Sequence, residues 1–184
     1  WRGVHVCKTV GDLWIYQELI HHIRPDCIIE TGAFEGGGAL YLKDIMQING
    51  LFGQVISIDI TDKFLSPTVK DAPIYFIKGS SVDSEVVTDV KAHLYAYKSE
   101  KVLVILDSDH SVEHVRKEMD IYAPLVSIGS ALIVEDTYPC VDLVPMITEW
   151  LLDHPEFRRD YMCEKFMITF NRDGFLEKID PSKQ

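Results

Sequence analysis

Four short apolar runs, each closing on a carboxylate, constrain this chain more than any other feature. Cys27-Ile28-Ile29 leads into Glu30, Val55-Ile56-Ser57-Ile58 into Asp59, the run 102–106 into Asp107, and the run 131–134 into Glu135-Asp136. Helical patterns separate them. The first covers about 12–24, with Leu13, Tyr16, Ile20 and Ile23 on one stripe, Asp12 as N-cap and Pro25 as stop. Others follow at about 39–48, 83–97, 112–122 and 143–152, with a short strand at 74–77 before Gly79. The tail reads as strand, turn, strand over 165–170, 171–174 and 175–179. Apolar strands alternating with helices predict an α/β fold, its mostly parallel sheet covered on both faces. Right-handed crossovers make it doubly wound, and ligands of such sheets bind beyond the carboxyl ends of the strands. One carboxylate there can be an accidental turn residue; four together are much harder to explain that way.

The first of these ends opens a glycine-rich turn, Glu30-Thr31-Gly32-Ala33-Phe34-Glu35-Gly36-Gly37-Gly38. Its pattern is E-x-G-x-x-x-G, not the G-x-G-x-x-G of dinucleotide sites. Glu30 and Glu35 would repel a pyrophosphate, whereas a sulfonium with an amino-acid tail carries positive charge and suits the loop. Gly32 and Gly36 let the backbone approach such a cofactor. Asp59 can accept hydrogen bonds from both ribose hydroxyls, a role shared by NAD and S-adenosylmethionine sites. Gly79-Ser80-Ser81 lies where an adenine pocket is expected, and a plain turn with a helix cap explains it equally well.

The most informative ends are Leu106-Asp107-Ser108-Asp109-His110 and Val134-Glu135-Asp136-Thr137. If these strands pair, three or four carboxylates share one small site, which calls for a cation. Hard oxygen ligands suit Mg²⁺ or a similar divalent ion, which orients and acidifies a bound hydroxyl. His110, just past the strand, is the candidate general base. His110-Ser111-Val112-Glu113-His114 also matches the zinc-peptidase motif H-x-x-E-H. That short match supports a zinc metallohydrolase only as a minor alternative.

Composition narrows the partners. The 18 Lys plus Arg against 29 Asp plus Glu give a net charge of −11, which disfavours nucleic acid. The four cysteines, Cys7, Cys27, Cys140 and Cys163, lack C-x-x-C spacing, so neither a zinc cluster nor a disulfide framework is expected, and a reducing, cytoplasmic setting is. No apolar run reaches the about 18 residues of a membrane span. Trp1, Trp14 and Tyr16 are read as core. The chain starts at Trp1 without Met, and the expectation is a single domain over 1–184 that can lack an N-terminal region.

The run Leu13-Trp14-Ile15-Tyr16-Gln17-Glu18, the loop ETGAFEGGGAL, LDSDHSVEHV and YAPLVSIGSALIVEDT together resemble the cephalosporin hydroxylase family over about 1–150. Despite its name, that family has the S-adenosylmethionine methyltransferase fold and includes macrolide-sugar O-methyltransferases. The resemblance implies a Rossmann-like class I methyltransferase fold, with a seven-stranded sheet whose last strands form an antiparallel edge. It implies Asp107, Glu135 and Asp136 as Mg²⁺ ligands, with Asp109 the rival for the first position. It also implies His110 as base, Glu30 and Gly32 in the cofactor loop, and Asp59 on the ribose. Glu35 departs from the less acidic residue expected in relatives. Methyl transfer to a small hydroxylated acceptor is likewise implied by the resemblance, with homo-oligomerisation left open. A non-methylating accessory protein of the same fold is the alternative.

Overall fold

The computed structural model describes residues 1–183; Gln184, the last residue of the span 1–184 expected as one domain, lies outside the described residues. The strands are β1 (Cys27–Thr31), β2 (Gln54–Asp59), β3 (Tyr75–Lys78), β4 (Val102–Leu106), β5 (Ala131–Val134), β6 (Phe157–Arg159) and β7 (Phe175–Lys178). The helices are α1 (Val10–Ile23), α2 (Gly37–Ile48), α3 (Pro67–Lys70), α4 (Ser84–Tyr97), α5 (Val112–Tyr122) and α6 (Leu143–Asp153). All seven strands join one sheet in the order β3-β2-β1-β4-β5-β7-β6. The first five pair in parallel, and β7 runs antiparallel to both β5 and β6.

Alternate residues of the strands face opposite layers, as the two-residue period of a strand requires. Ile29, Ile56, Val104, Leu106 and Val134 pack with Val90 of α4, Met119 and Tyr122 of α5, and Trp150 of α6. Ile28, Val55, Leu103, Ile105 and Ile133 pack with Tyr16 and Ile20 of α1 and Leu42 and Met46 of α2. Each fully buried aliphatic contributes about 1.5–3 kcal/mol, and both faces are covered, so the strand sequences need no polar alternation. Register aligns Thr31 with Ile58 and Leu106, and Leu106 with Val134. The carboxylates that follow therefore emerge along one edge.

Three expectations change. The N-cap of α1 is Thr9, not Asp12: the Thr9 hydroxyl accepts from the Asp12 backbone N–H at 3.1 Å and donates to Asp12 Oδ2 at 2.7 Å. Residues 165–170 form no strand. The place beside β7 is taken by β6, where Arg158 faces Glu177, while the 165–170 segment crosses to α1 and is held by Asp12, which accepts from the Thr169 hydroxyl and the Phe170 N–H. Of the early aromatics only Tyr16 is core; Trp1 and Trp14 are exposed. The four cysteines are free, and no described helix is long and apolar enough to cross a membrane.

Candidate active site

At the end of β1, Gly32 sits at φ +82°, and its N–H donates to the Ile58 carbonyl at 2.8 Å. A Cβ there would stand 1.8 Å from the Asp107 carbonyl oxygen, so only glycine lets the β1 and β4 ends approach this closely. Gly36, also at φ +82°, caps α2. Glu30 is buried, and its Oε2 accepts from the Ser57 hydroxyl at 2.9 Å. Burial pushes the Glu30 carboxyl up to about 7, with Lys8 and Ser57 opposing that rise. Asp59 Oδ2 accepts from the Phe34 N–H at 2.9 Å and Oδ1 from the Thr61 N–H at 3.0 Å. These bonds fix the carboxylate and leave each oxygen a lone pair. A cavity of about 520 Å³ opens here, lined by Gly32, Asp59, Gly79, Ser80 and Ser81 on one side and Ser108, Asp109 and His114 on the other.

Beside this cavity, β4 and β5 bring Asp107, His110 and Asp136 together, with one potential ligand atom from each lying within 4.8 Å of the others. His110 Nε2 is 3.2 Å from Asp136 Oδ2 and 3.9 Å from Asp107 Oδ1. Asp136 adopts φ +58°, a conformation that Asp tolerates better than most residues, and its N–H donates to Asn171 Oδ1 at 3.1 Å. Asp109 is exposed and engaged elsewhere, its Oδ1 accepting from the Ser111 N–H at 2.8 Å.

Glu135 turns inward. Its Oε1 accepts from Lys8 Nζ at 2.5 Å and from the Tyr16 hydroxyl at 2.6 Å, and Asn171 Nδ2 donates to that hydroxyl at 2.9 Å. Lys8 also donates to Asp107 Oδ2 at 2.7 Å. Burial alone would lower the pKa of this lysine, but Glu135, Asp107 and Glu30 together outweigh it and hold the ammonium protonated. Burial raises both carboxyls, Asp107 to about 6 and Glu135 to about 7; their mutual repulsion adds to the rise at Glu135, and Lys8 counters it at both. One ammonium does not neutralise this many carboxylates, so the cluster retains room for further positive charge.

Lys8, Asn171 and the Tyr16 hydroxyl escape sequence reading. Lys8 precedes the first helix and obeys no period, and Asn171 reads as a turn residue. Tyr16 lies on an apolar stripe that marks it as core and says nothing of its hydroxyl. The two histidines of HSVEH have separate partners: His110 faces Asp107 and Asp136, whereas His114 faces Ser81, Ser108 and Glu118. Among the described residues the metal-capable group contains His110 without His114.

A parallel sheet with an antiparallel edge, a cavity at the β1, β2 and β3 ends and an acidic cluster at β4 and β5 define a protein of the class I methyltransferase fold. Residues 1–179 match the family model for rhamnosyl O-methyltransferase/CmcI, and the chain belongs to that family. A rhamnosyl O-methyltransferase of Mycobacterium leprae (strain TN) is 36% identical over 187 residues, covering 96% of this chain and 81% of the relative. One from Mycobacterium bovis (strain BCG / Pasteur 1173P2) is 36% identical over 138 residues, 74% of this chain but only 56% of the relative. Among solved structures, CmcI with Mg and SAM superposes with a TM-score of 0.75 at 21% identity, over 98% of this chain and 76% of CmcI. MycE, a methyltransferase of the mycinamycin biosynthetic pathway in complex with Mg and SAH, superposes with a TM-score of 0.59 at 22% identity, over 89% of this chain and 48% of MycE.

Proposed function

We propose that this chain, taken as one domain, transfers a methyl group from S-adenosylmethionine to a hydroxyl of a sugar or sugar-bearing natural product, with Mg²⁺ as helper ion. The observation that carries the reading is the juxtaposition of the Gly32–Asp59 cavity with the Asp107, His110 and Asp136 group. The residues fit both groups. Gly32 lets the β1 and β4 ends close together beside the cavity, and Asp59 keeps lone pairs for two ribose hydroxyls. The donors of the acidic group are hard oxygens with a histidine beside them. The rhamnosyl O-methyltransferase relatives support a sugar acceptor.

When bound, S-adenosylmethionine supplies an electrophilic methyl and Mg²⁺ supplies charge that acidifies and orients a hydroxyl. Asp107, Asp136 and Glu135 would hold the ion, with Glu135 Oε1 anchored by Lys8 and Tyr16. Glu30, Gly32 and Gly36 shape the methionine end, and Asp59 holds the ribose. Gly79, Ser80 and Ser81 receive the base. His110, whose Nε2 lies 3.2 Å from Asp136 Oδ2, takes the acceptor's proton as general base. Much of the acceleration then comes from holding the reacting atoms in line.

The decisive experiment pairs calorimetry of S-adenosylhomocysteine with transfer of labelled methyl to rhamnosyl glycosides, with and without Mg²⁺. His110→Ala is expected to lower kcat by about 10²–10⁴-fold while leaving S-adenosylhomocysteine affinity within about twofold. Turnover unchanged by that substitution removes His110 from proton transfer. A folded protein that binds no S-adenosylhomocysteine ends the methyltransferase reading altogether.

A further inference from the structure

Glu135 and Asp136 follow directly on β5, and an extended chain sends successive side chains to opposite faces. Two such neighbours can serve one ion only if the backbone leaves that path. It does so at Asp136, whose φ of +58° lies in the left-handed region. A non-glycine residue held there costs free energy and persists only where its surroundings fix it.

Those surroundings are the turn Asn171-Arg172-Asp173-Gly174, to which the proposed chemistry gives no task. Hydrogen bonds fasten it to the chain leaving β5. The Gly174 carbonyl accepts from the Val134 N–H at 2.9 Å, and Asn171 Oδ1 from the Asp136 N–H at 3.1 Å. The Arg172 carbonyl accepts from the Thr137 hydroxyl at 2.5 Å, and the Phe170 carbonyl from the Tyr138 N–H at 2.8 Å. Asn171 is wholly buried and is itself fixed, its N–H donating to Thr169 Oγ1 at 3.0 Å and its carbonyl accepting from the Gly174 N–H at 2.9 Å.

The Asn171 side chain has only one consistent orientation. A backbone N–H can only donate, so the amide oxygen faces Asp136 and the NH₂ faces Tyr16. Nδ2 donates to the Tyr16 hydroxyl at 2.9 Å, and that hydroxyl donates to Glu135 Oε1 at 2.6 Å. One buried amide thus holds the backbone of one acidic neighbour and, through Tyr16, the carboxylate of the other.

We propose that Asn171 is a positioning residue that sets the spacing of the Asp136 and Glu135 carboxylates, and through that spacing favours Mg²⁺ over the larger Ca²⁺. The inference rests on the metal reading above and goes beyond it, because it assigns ion selectivity to a residue behind the ligands. Mg²⁺ demands near-octahedral oxygens at about 2.0–2.1 Å, whereas Ca²⁺ accepts irregular shells at about 2.3–2.6 Å. Loosening the two carboxylates therefore penalises Mg²⁺ more.

The test needs no turnover. Mg²⁺ and Ca²⁺ are titrated against bound Mn²⁺, followed by electron paramagnetic resonance, in wild-type protein, Asn171→Leu, Tyr16→Phe and the double variant. Asn171→Leu should lower Mg²⁺ affinity about 10-fold more than Ca²⁺ affinity, as for one hydrogen bond. Tyr16→Phe, which keeps the ring but cuts the branch to Glu135, should move the same ratio in the same direction by a smaller factor. Asn171→Leu should then move it less in the Tyr16→Phe background than in wild type, because that branch is already cut. A general loosening of the fold would lower both affinities together, so an unchanged ratio in Asn171→Leu overturns the proposal. An unchanged ratio in Tyr16→Phe overturns it even where Asn171→Leu does not fold. Shifts that simply add in the double variant also overturn it, since the two residues would then act apart. A folded wild-type protein that binds no Mn²⁺ overturns the metal reading itself.

Discussion

Lys8 carries one positive charge into contact with Asp107 and Glu135, and its own side chain is almost fully enclosed. Removing one partner of such a pair leaves uncompensated buried charge, at a cost of about 3–5 kcal/mol. Lys8→Met should therefore lower the urea midpoint markedly in metal-free buffer. MgCl₂ should restore more stability to the variant than to wild type, because a divalent ion offsets the same carboxylates. Equal shifts in both proteins would show that Lys8 and the ion do not share that task. Gly32 is constrained as tightly by geometry. An alanine there meets the Asp107 carbonyl at 1.8 Å in a backbone conformation that L side chains rarely adopt. Gly32→Ala should destabilise the protein by at least about 2 kcal/mol, measured by the same denaturation. The glycine is legible because an E-x-G turn after an apolar run is a local pattern. Lys8 is not, because its partners lie about a hundred positions away in the chain.

At the scale of elements, the antiparallel edge separates burial from surface pairing. Phe157 of β6 is buried against the sheet, whereas Arg158 is exposed and pairs with Glu177 at 2.7 Å. Phe157→Ala should cost about 3–5 kcal/mol, and Arg158→Ala no more than about 1 kcal/mol. Comparable losses for the two variants, read by thermal unfolding, would contradict this assignment of the edge. The strand itself was not legible. Phe157-Arg158-Arg159 is short and charged, while Lys165 to Phe170 carries the apolar residues expected of a strand. Those residues stay exposed, because Asp12 holds Thr169 and Phe170 against the start of α1. Strands β4 and β5 and helix α5 were readable to the residue, since covering both sheet faces leaves continuous apolar runs with sharp ends.

For the whole molecule, a ligand that binds only the folded state stabilises it by mass action. S-adenosylhomocysteine at about one hundred times its Kd should add about 2.7 kcal/mol to unfolding, seen as a shift in the denaturation midpoint. No shift at any concentration would mean that the cavity serves another ligand. The sequence by itself determined the alternation, hence a doubly wound sheet, and the carboxylates that end β1, β2, β4 and β5, because hydrophobic period and turn chemistry are local properties. Only the tertiary structure decided which of those carboxylates meet. It turned Glu135 inward to Lys8 and Tyr16, set Asp107 and Asp136 beside His110, and sent Asp109 to cap its own turn. It also sent the two histidines of one short motif to different partners. Side-chain direction at a strand end depends on what packs across the sheet from distant parts of the chain, and no local pattern encodes it.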